Sequence, residues 1–241
     1  MLKRIIKFIK DTVLWLFLTE HCRYCNSLIE IGEGVCADCR ENLPVVSGDK
    51  CSFCGAGKDR CGCKKHRLGY NGITAPFYYE GGIKEGIRQL KFNGKEHIAY
   101  FLAEDMTRAV KSDFTEVQFD FICFVPFTAA QKIRRNYNQS ELLAEHLAKM
   151  LNIPLKKALV KLFETDTQHS MNVCNRKGNV FGVYDVKDGV DIKGKTVLLV
   201  DDIKTTGSTL DECAWILKIR GAKTVYCVTA ALTGKNKNNK S

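Results

Sequence analysis

The sequence predicts an α/β protein in which helices flank a parallel sheet, preceded by a small cysteine-rich unit. Val197–Val200 are four consecutive aliphatic residues, as in a strand buried on both faces. A helical segment and a second apolar strand, Thr224–Leu232, follow. Eight of the twelve cysteines fall before residue 64. We expect the cysteine-rich unit over 1–68, the α/β domain over 69–234, and a basic tail without fixed structure over 235–241.

The first residues are basic and then apolar, MLKRIIKFIKDTVLWLFL. Their uninterrupted apolar run, Val13–Leu18, is too short to span a bilayer, and no small-residue cleavage site follows it. The sequence therefore predicts neither a transmembrane nor a secreted protein, and a cytoplasmic location is expected. The segment fits an amphipathic helix that either packs on the protein or faces a partner or a membrane surface.

The early cysteines come in closely spaced pairs that form two sets of four. The first set is Cys22, Cys25, Cys36 and Cys39, and the second is Cys51, Cys54, Cys61 and Cys63. Each set has the spacing of a zinc ribbon, in which two turns supply four thiolates to a tetrahedral Zn²⁺. A disulfide framework is the alternative, but it suits a secreted chain. A single zinc with fewer ligands is another, because Cys61-x-Cys63 is tighter than a regular pair.

The formal net charge is +10. If the eight early cysteines bind two Zn²⁺ ions as thiolates, the total becomes +6, because eight negative and four positive charges are added. Three of the remaining positive charges belong to lysines of the tail. Net charge alone therefore does not predict nucleic-acid binding, which would need clustered basic residues.

One such cluster lies in Gly86–Asn93, where Arg88, Lys91 and Phe92 could contact phosphate and stack a base. An ordinary amphipathic helix surface is the alternative.

A second buried strand begins at Phe119 and ends before Pro126. The following loop is polar and basic, and contains Thr128, Gln131, Lys132, Arg134 and Arg135. Asn138 and Glu141 then resemble a capping box for a helix to Leu151. Two arginines beside amides suit a polyanion, although a solvated basic loop is the alternative.

Asp201 and Asp202 follow the central strand and precede a loop rich in hydroxyl groups. The loop consists of Lys204, Thr205, Thr206, Gly207, Ser208 and Thr209. Amides and hydroxyls at the start of a helix can bind a phosphate monoester, whereas carboxylates accept hydrogen bonds from a diol and attract Mg²⁺. The stretch VLLVDDIKTTGST resembles the phosphoribosyl-pyrophosphate (PRPP) loop of type I phosphoribosyltransferases. This resemblance implies that the acidic pair serves the ribose hydroxyls and Mg²⁺, and that Arg134 and Arg135 contact pyrophosphate.

Nearly the whole chain resembles the ComF competence proteins, including their GntX-like members. The matching features are the cysteine-rich head, GIKEGIRQLKFNG, VPFTAAQKIRRNYNQSELLAEHLA, TDTQHSMNVCNRKGNVFGVYDV and the PRPP-type loop. Gln168, Arg176 and Asn179 match the family's polar pattern in a segment that could cover a bound ligand. Asn136 and Tyr137 replace the Gly and Phe that the family usually shows.

The resemblance implies a double zinc ribbon and a phosphoribosyltransferase-like domain that act in the uptake of transforming DNA. Single-stranded DNA, a competence helicase and DNA-processing proteins are the implied partners. Three hypotheses stay open: a binding module for PRPP, a nucleotide or a DNA end; an active transferase that moves phosphoribose to an amine or base; and a scaffold whose sugar-phosphate site is vestigial.

Overall fold

The computed structural model of the protein describes residues 20–63, 68–127, 137–162 and 183–235. The predicted basic tail and the N-terminal helix lie outside these residues, apart from the start of the tail at Lys235. None of the described helices has both the length and the apolar character that crossing a membrane requires.

A parallel sheet forms the centre of the described structure. Its strands are β3 (Gly72–Thr74), β4 (Phe77–Tyr78), β5 (Phe121–Phe124), β8 (Thr196–Lys204) and β9 (Thr224–Leu232). The spatial order is β3-β9-β8-β5, and β4 continues along the same side of β9 as β3. Small antiparallel pairs join β1 (Glu20–His21) to β2 (Leu28–Ile29) and β6 (Leu159–Lys161) to β7 (Tyr184–Val186).

Helices cover both faces of the sheet. Helices α2 (Gly81–Phe92), α3 (His97–Asp113) and α4 (Gln139–Leu151) contribute to one apolar core, and α5 (Ser208–Ile219) to the other. Along β8, Leu198 and Val200 point into the first core, while Val197 and Leu199 point into the second. This alternation explains the four consecutive aliphatic residues, because a strand covered on both faces needs apolar side chains at every position.

The predicted boundaries of several elements are close to those observed. Strand β9 has the predicted bounds, and α4 ends at Leu151 with Asn152 in the left-handed region. Gly221, two residues after the end of α5, has φ +107°, the left-handed conformation that is typical of this position after a helix.

The predicted capping box is only half present. The side chain of Asn138 accepts a hydrogen bond from the Ser140 amide and so caps α4. Glu141 instead pairs with Lys157, a residue beyond the helix. In a capping box the carboxylate of Glu141 would accept a hydrogen bond from the Asn138 amide, but here it is engaged in the ion pair.

Within residues 20–63, the described part of the cysteine-rich unit, there is little regular structure. Beyond β1 and β2 these residues contain α1 (Ala37–Asn42) and a 3₁₀ turn, Lys58–Arg60. Each cysteine set forms its own small buried cluster, and the second also includes Ala75, Tyr78 and Leu232 of the α/β domain. The predicted boundary at residue 68 therefore divides the sequence, although residues on both sides of it belong to the same apolar cluster.

Candidate functional site

The acidic pair lies within β8, whereas the sequence placed it between the strand and the loop. Pairing with β9 continues past Val200 through Asp201, Ile203 and Lys204. The strand therefore carries both carboxylates rigidly to the carboxyl edge of the sheet, where ligands of open α/β sheets bind.

Asp201 is held by neighbours on two elements. Ser140, in the first turn of α4, donates its hydroxyl hydrogen to Oδ1 of Asp201 at 2.8 Å, and the Asp202 amide donates to the same oxygen at 2.9 Å. Burial, together with the negative charge of Asp202, raises the pKa of Asp201 to about 7. Asp201 can therefore exchange its proton near neutral pH.

Asp202 has a different partner. Nζ of Lys91, near the carboxyl end of α2, lies 2.8 Å from its Oδ2, and both side chains are largely buried. An ammonium group thus offsets the charge of the acidic pair before any ligand is present. Tyr137 ties the same region of α2 to the domain, because its hydroxyl donates to the carbonyl of Leu90.

The loop after β8 exposes its hydroxyl groups at the amino end of α5. Thr205, Thr206 and Ser208 are exposed, and Thr206 and Ser208 lie in mutual hydrogen-bond contact at 3.0 Å. Gly207 has φ +88° and directly precedes the helix. Free amides and hydroxyls at a helix start form an anion site of the size of a phosphate group.

The loop rests on buried side chains. Lys204 is 6% exposed, and a methyl group at Gly207 would lie 3.1 Å from its Cε. Tyr70 lies on the same side, with its hydroxyl 3.8 Å from that position. Thr233 donates to the carbonyl of Thr205 at 3.1 Å. These contacts fix the side of the loop that faces the protein interior and leave its other side exposed to solvent.

The structure brings together three of the predicted parts of the site: the acidic pair, the hydroxyl loop and Lys91. Thr128, Arg134, Arg135, Gln168, Arg176 and Asn179 lie outside the described residues. Of the basic cluster on α2, Arg88 and Phe92 are exposed on the helix surface.

Sequence reasoning missed Ser140. Its position follows from the cap, since Asn138 also donates from Nδ2 to the Val125 carbonyl at the end of β5. That bond fixes the start of α4 beside the end of β8, the neighbour of β5. The topology predicts the edge of the sheet, because a helix that follows a parallel strand begins at the edge where the neighbouring strands also end. The contact with Asp201 itself depends on how α4 packs on the sheet.

The two cysteine sets form two compact groups of thiols. Within each set the four Sγ atoms lie within 4.8 Å of one another, and neighbouring Sγ atoms are 3.4–3.6 Å apart where they are in contact. None of these eight cysteines forms a disulfide. Four sulfur ligands about 2.3 Å from one tetrahedral ion would lie roughly 3.8 Å apart, so each set has the geometry to hold a metal ion. The other described cysteines, Cys123, Cys213 and Cys227, are buried in the sheet core.

Comparison with known proteins agrees with this arrangement. Residues 137–241 match the family described as "Phosphoribosyl transferase domain". The chain is 27% identical over 220 residues to Competence protein F of Haemophilus influenzae, covering 87% of this chain and 95% of that protein. It is 28% identical over 226 residues to DNA utilization protein YhgH of Shigella flexneri (88% and 97%), and 24% identical over 210 residues to Competence protein ComFC of Bacillus subtilis (80% and 82%).

Among solved structures, the glutamine PRPP amidotransferase of B. subtilis in complex with ADP and GMP is 22% identical, with a TM-score of 0.39. The match covers 55% of this chain and 26% of that chain. The chain is therefore a homologue of proteins named Competence protein F, YhgH and ComFC, and its C-terminal part matches the phosphoribosyl transferase domain family.

Proposed function

We propose that this protein binds a phosphoribosyl ligand at the carboxyl end of β8 and acts in DNA uptake during natural transformation. The ligand is PRPP, a nucleotide or the end of a DNA strand. The observation that carries the proposal is the meeting of the acidic pair, Lys91 and the hydroxyl loop at one strand end. The names of the relatives, which refer to competence and DNA utilization, support the cellular role.

The 5′-phosphate is assigned to the loop of Lys204, Thr205, Thr206, Gly207, Ser208 and Thr209. The amides at the start of α5 point out of the helix, and the helix dipole favours an anion there. The exposed hydroxyls add hydrogen-bond donors. The positive φ of Gly207 lets the chain turn from strand to helix directly beneath the phosphate.

The ribose hydroxyls are assigned to Asp201 and Asp202, whose oxygens accept hydrogen bonds from a diol. Mg²⁺ would accompany PRPP, and carboxylate oxygens are suitable ligands for that cation. Lys91 offsets the repulsion between the acidic pair and an incoming polyanion. Pyrophosphate or nucleic acid is assigned to Lys91, Thr128, Arg134, Arg135, Gln168 and Arg176.

Each cysteine set is assigned one structural Zn²⁺. Tetrathiolate sites of this kind stabilise segments that lack enough apolar residues for a core of their own. Thiols kept reduced for metal binding also suit the cytoplasm, where we place the protein. Single-stranded DNA is the expected nucleic-acid partner, and a competence helicase and DNA-processing proteins are the expected protein partners.

A second function shares the same site. In an active transferase, the bond from the anomeric carbon to pyrophosphate breaks and a bond to an amine or base forms. The transition state resembles an oxocarbenium ion, so positioning and electrostatics matter more than a strong base. The resemblance of the acidic pair and loop to those of phosphoribosyltransferases favours this alternative, whereas the names of the relatives favour the binding module.

Phosphorus NMR of PRPP with Mg²⁺ and stoichiometric protein tests the ligand and separates the two functions. We expect broadened PRPP signals in wild type and sharp signals in Asp201→Asn/Asp202→Asn. Asp188→Asn, an exposed acid after β7, is the matched control and should behave as wild type. Release of pyrophosphate that depends on the acidic pair would establish the transferase. Unbroadened signals in wild type would contradict the assignment of a PRPP site.

The DNA part of the proposal is tested by the salt dependence of single-stranded DNA binding. Lys91→Ala combined with Arg134→Ala should weaken binding and lower the slope of log K against log salt by roughly 1 to 2, because two phosphate contacts are lost. Lys111→Ala, on α3, controls for the loss of positive charge alone. An unchanged slope would show that these residues do not contact the strand.

A further inference from the structure

Helix α2 is packed against the first cysteine set through two glycines on one helical face. A Cβ atom at Gly82 would overlap Sγ of Cys39, and one at Gly86 would overlap the carbonyl oxygen of Tyr24. Tyr24 lies between Cys22 and Cys25 in the turn that supplies the first two thiols. The positions i and i+4 face the same way on a helix, so the helix backbone lies directly against the cluster.

Further contacts fix the orientation of the first cysteine set on the domain. Tyr24 donates its hydroxyl hydrogen to Asp105 of α3 at 3.2 Å, and its ring packs edge-on against Phe77 at 5.5 Å. The guanidinium of Arg23 lies over the ring of Phe101 at 4.9 Å. The first set is therefore anchored on α3 and β4, and α2 lies against it.

The other end of the same helix forms part of the ligand site. Lys91 comes five residues after Gly86, a distance of about 7.5 Å along the helix axis. Its Nζ lies 2.8 Å from Asp202. A helix of this length moves as a rigid unit, so a displacement at Gly86 also displaces Lys91.

We infer that the first cysteine set, when closed around its metal ion, holds Lys91 in place beside Asp202 and thereby supports the ligand site. This inference rests on the proposed phosphoribosyl site for its consequence on binding, but the position of Lys91 can be tested without any ligand. Lys91 is part of the ligand site, whereas Gly82, Gly86 and the cysteines of the first set act as positioning residues. By linkage, ligand binding and metal binding at this set should strengthen each other.

Chemical labelling of lysines, quantified peptide by peptide by mass spectrometry, tests the position of Lys91 in the ligand-free protein. Acetylation by an N-hydroxysuccinimide ester should be slow at Lys91, whose ammonium is buried and paired, and fast at exposed Lys84 on the same helix. In Cys39→Ser, which removes one ligand of the first set, labelling of Lys91 should rise severalfold and that of Lys84 should not change.

Cys54→Ser, which damages the second set, is the matched control and should leave the labelling of Lys91 low. Unchanged labelling of Lys91 in Cys39→Ser would overturn the inference. An equal rise in both variants would also overturn it, because the effect would then be general loosening of the fold. Circular dichroism of both variants verifies that the α/β domain stays folded.

A double-mutant cycle with Mg²⁺-PRPP tests the consequence for the ligand. Gly86→Ala should weaken PRPP binding about tenfold in wild type and less than about twofold in a Lys91→Ala background. The effect is smaller there because Gly86→Ala weakens binding by displacing the side chain of Lys91. Lys84→Ala should leave the affinity unchanged. Additive effects would overturn the positioning role. If wild type does not bind PRPP, the proposed function fails, and the labelling result still decides the position of Lys91.

Discussion

Asp201 and Asp202 are adjacent in sequence but occupy different electrostatic environments. Asp201 accepts hydrogen bonds from a hydroxyl and an amide, with no cation in direct contact among the described residues, whereas Asp202 is paired with Lys91. Burial and the neighbouring charge raise the pKa of Asp201 to about 7, far above the value of about 3.9 for an unfolded chain. The free site is therefore partly protonated at neutral pH.

This shift predicts a pH-dependent stability. Between pH 4 and pH 7 Asp201 keeps its proton in the folded state and loses it in the unfolded state, so the free energy of unfolding should fall as pH rises through this window. Asp201→Asn removes the titration, so the stability of this variant relative to wild type should be greater at pH 8 than at pH 5, by roughly 2–3 kcal/mol. Urea denaturation at both pH values, without Mg²⁺, measures the difference.

Asp202→Asn serves as the contrasting variant. It leaves Lys91 without its partner carboxylate and should destabilise the protein at pH 8 rather than stabilise it. If the change in the free energy of unfolding caused by each substitution is the same at pH 5 as at pH 8, Asp201 does not titrate between these pH values.

At the residue scale the sequence predicted the groups that lie within one continuous stretch. The acidic pair and the hydroxyl loop are contiguous, so a role for them could be proposed from their order alone. The contacts of Ser140 with Asp201 and of Lys91 with Asp202 join different elements. Such contacts depend on the packing of α2 and α4 on the sheet, which no local pattern specifies.

At the scale of elements, the unit that matters most is β8, the loop after it and α5. Strand β8 is longer than predicted because its last residues keep their backbone partners on β9. Hydrophobicity marked only the four aliphatic residues, while hydrogen bonding extended the strand through polar ones. The bounds of β9 and α4 were predictable because their apolar periodicity, cap residues and terminators coincide.

Gly207 forms the turn between β8 and α5, and the effect of replacing it can be predicted. Gly207→Ala places a Cβ in the left-handed region and 3.1 Å from Cε of Lys204. We expect a loss of about 1–2 kcal/mol in the free energy of unfolding and weaker PRPP binding, because the loop must shift. Urea denaturation and isothermal titration calorimetry measure the two effects.

Gly189→Ala is the matched control, since Gly189 has φ +78° but nothing within 4 Å of an added Cβ. It should cost a similar backbone strain without altering ligand affinity. Equal affinities for all three proteins would show that the loop tolerates displacement and does not grip a phosphate.

At the scale of the whole molecule, the cysteine-rich unit and the α/β domain share an interface. Next to Cys61 of the second set, Arg60 forms a bidentate ion pair with Glu80, and its guanidinium lies over the ring of Tyr78 at 3.8 Å. Tyr70 donates to the carbonyl of Phe53 at 2.8 Å. The sequence divides the two units by composition, but it could not show this interface, because docking glycines such as Gly82 and Gly86 resemble ordinary helix or loop residues.

The interface predicts how the protein responds to loss of metal. From the sequence alone, chelation should unfold residues 1–68 and leave the α/β domain cooperative. The shared contacts add to this expectation: removal of the proposed zinc ions should also lower the melting temperature of the α/β domain, by about 2–4 °C for each kcal/mol of interface lost. Hydrogen exchange should increase first in α2 and β4, which contact the cysteine-rich unit, and later in β8 and β9, which lie at the centre of the sheet.

Calorimetry and hydrogen exchange with and without a zinc chelator measure both effects, and restoring Zn²⁺ should reverse them. Arg60→Ala provides a comparison in which the metal ligands stay intact but one docking contact is lost. It should reproduce part of the loss in melting temperature without releasing zinc, since the guanidinium joins the second set to Glu80 and Tyr78. An unchanged α/β transition after complete zinc removal would mean that the two units are energetically independent, and that the cysteine sets do not support the ligand site through the interface.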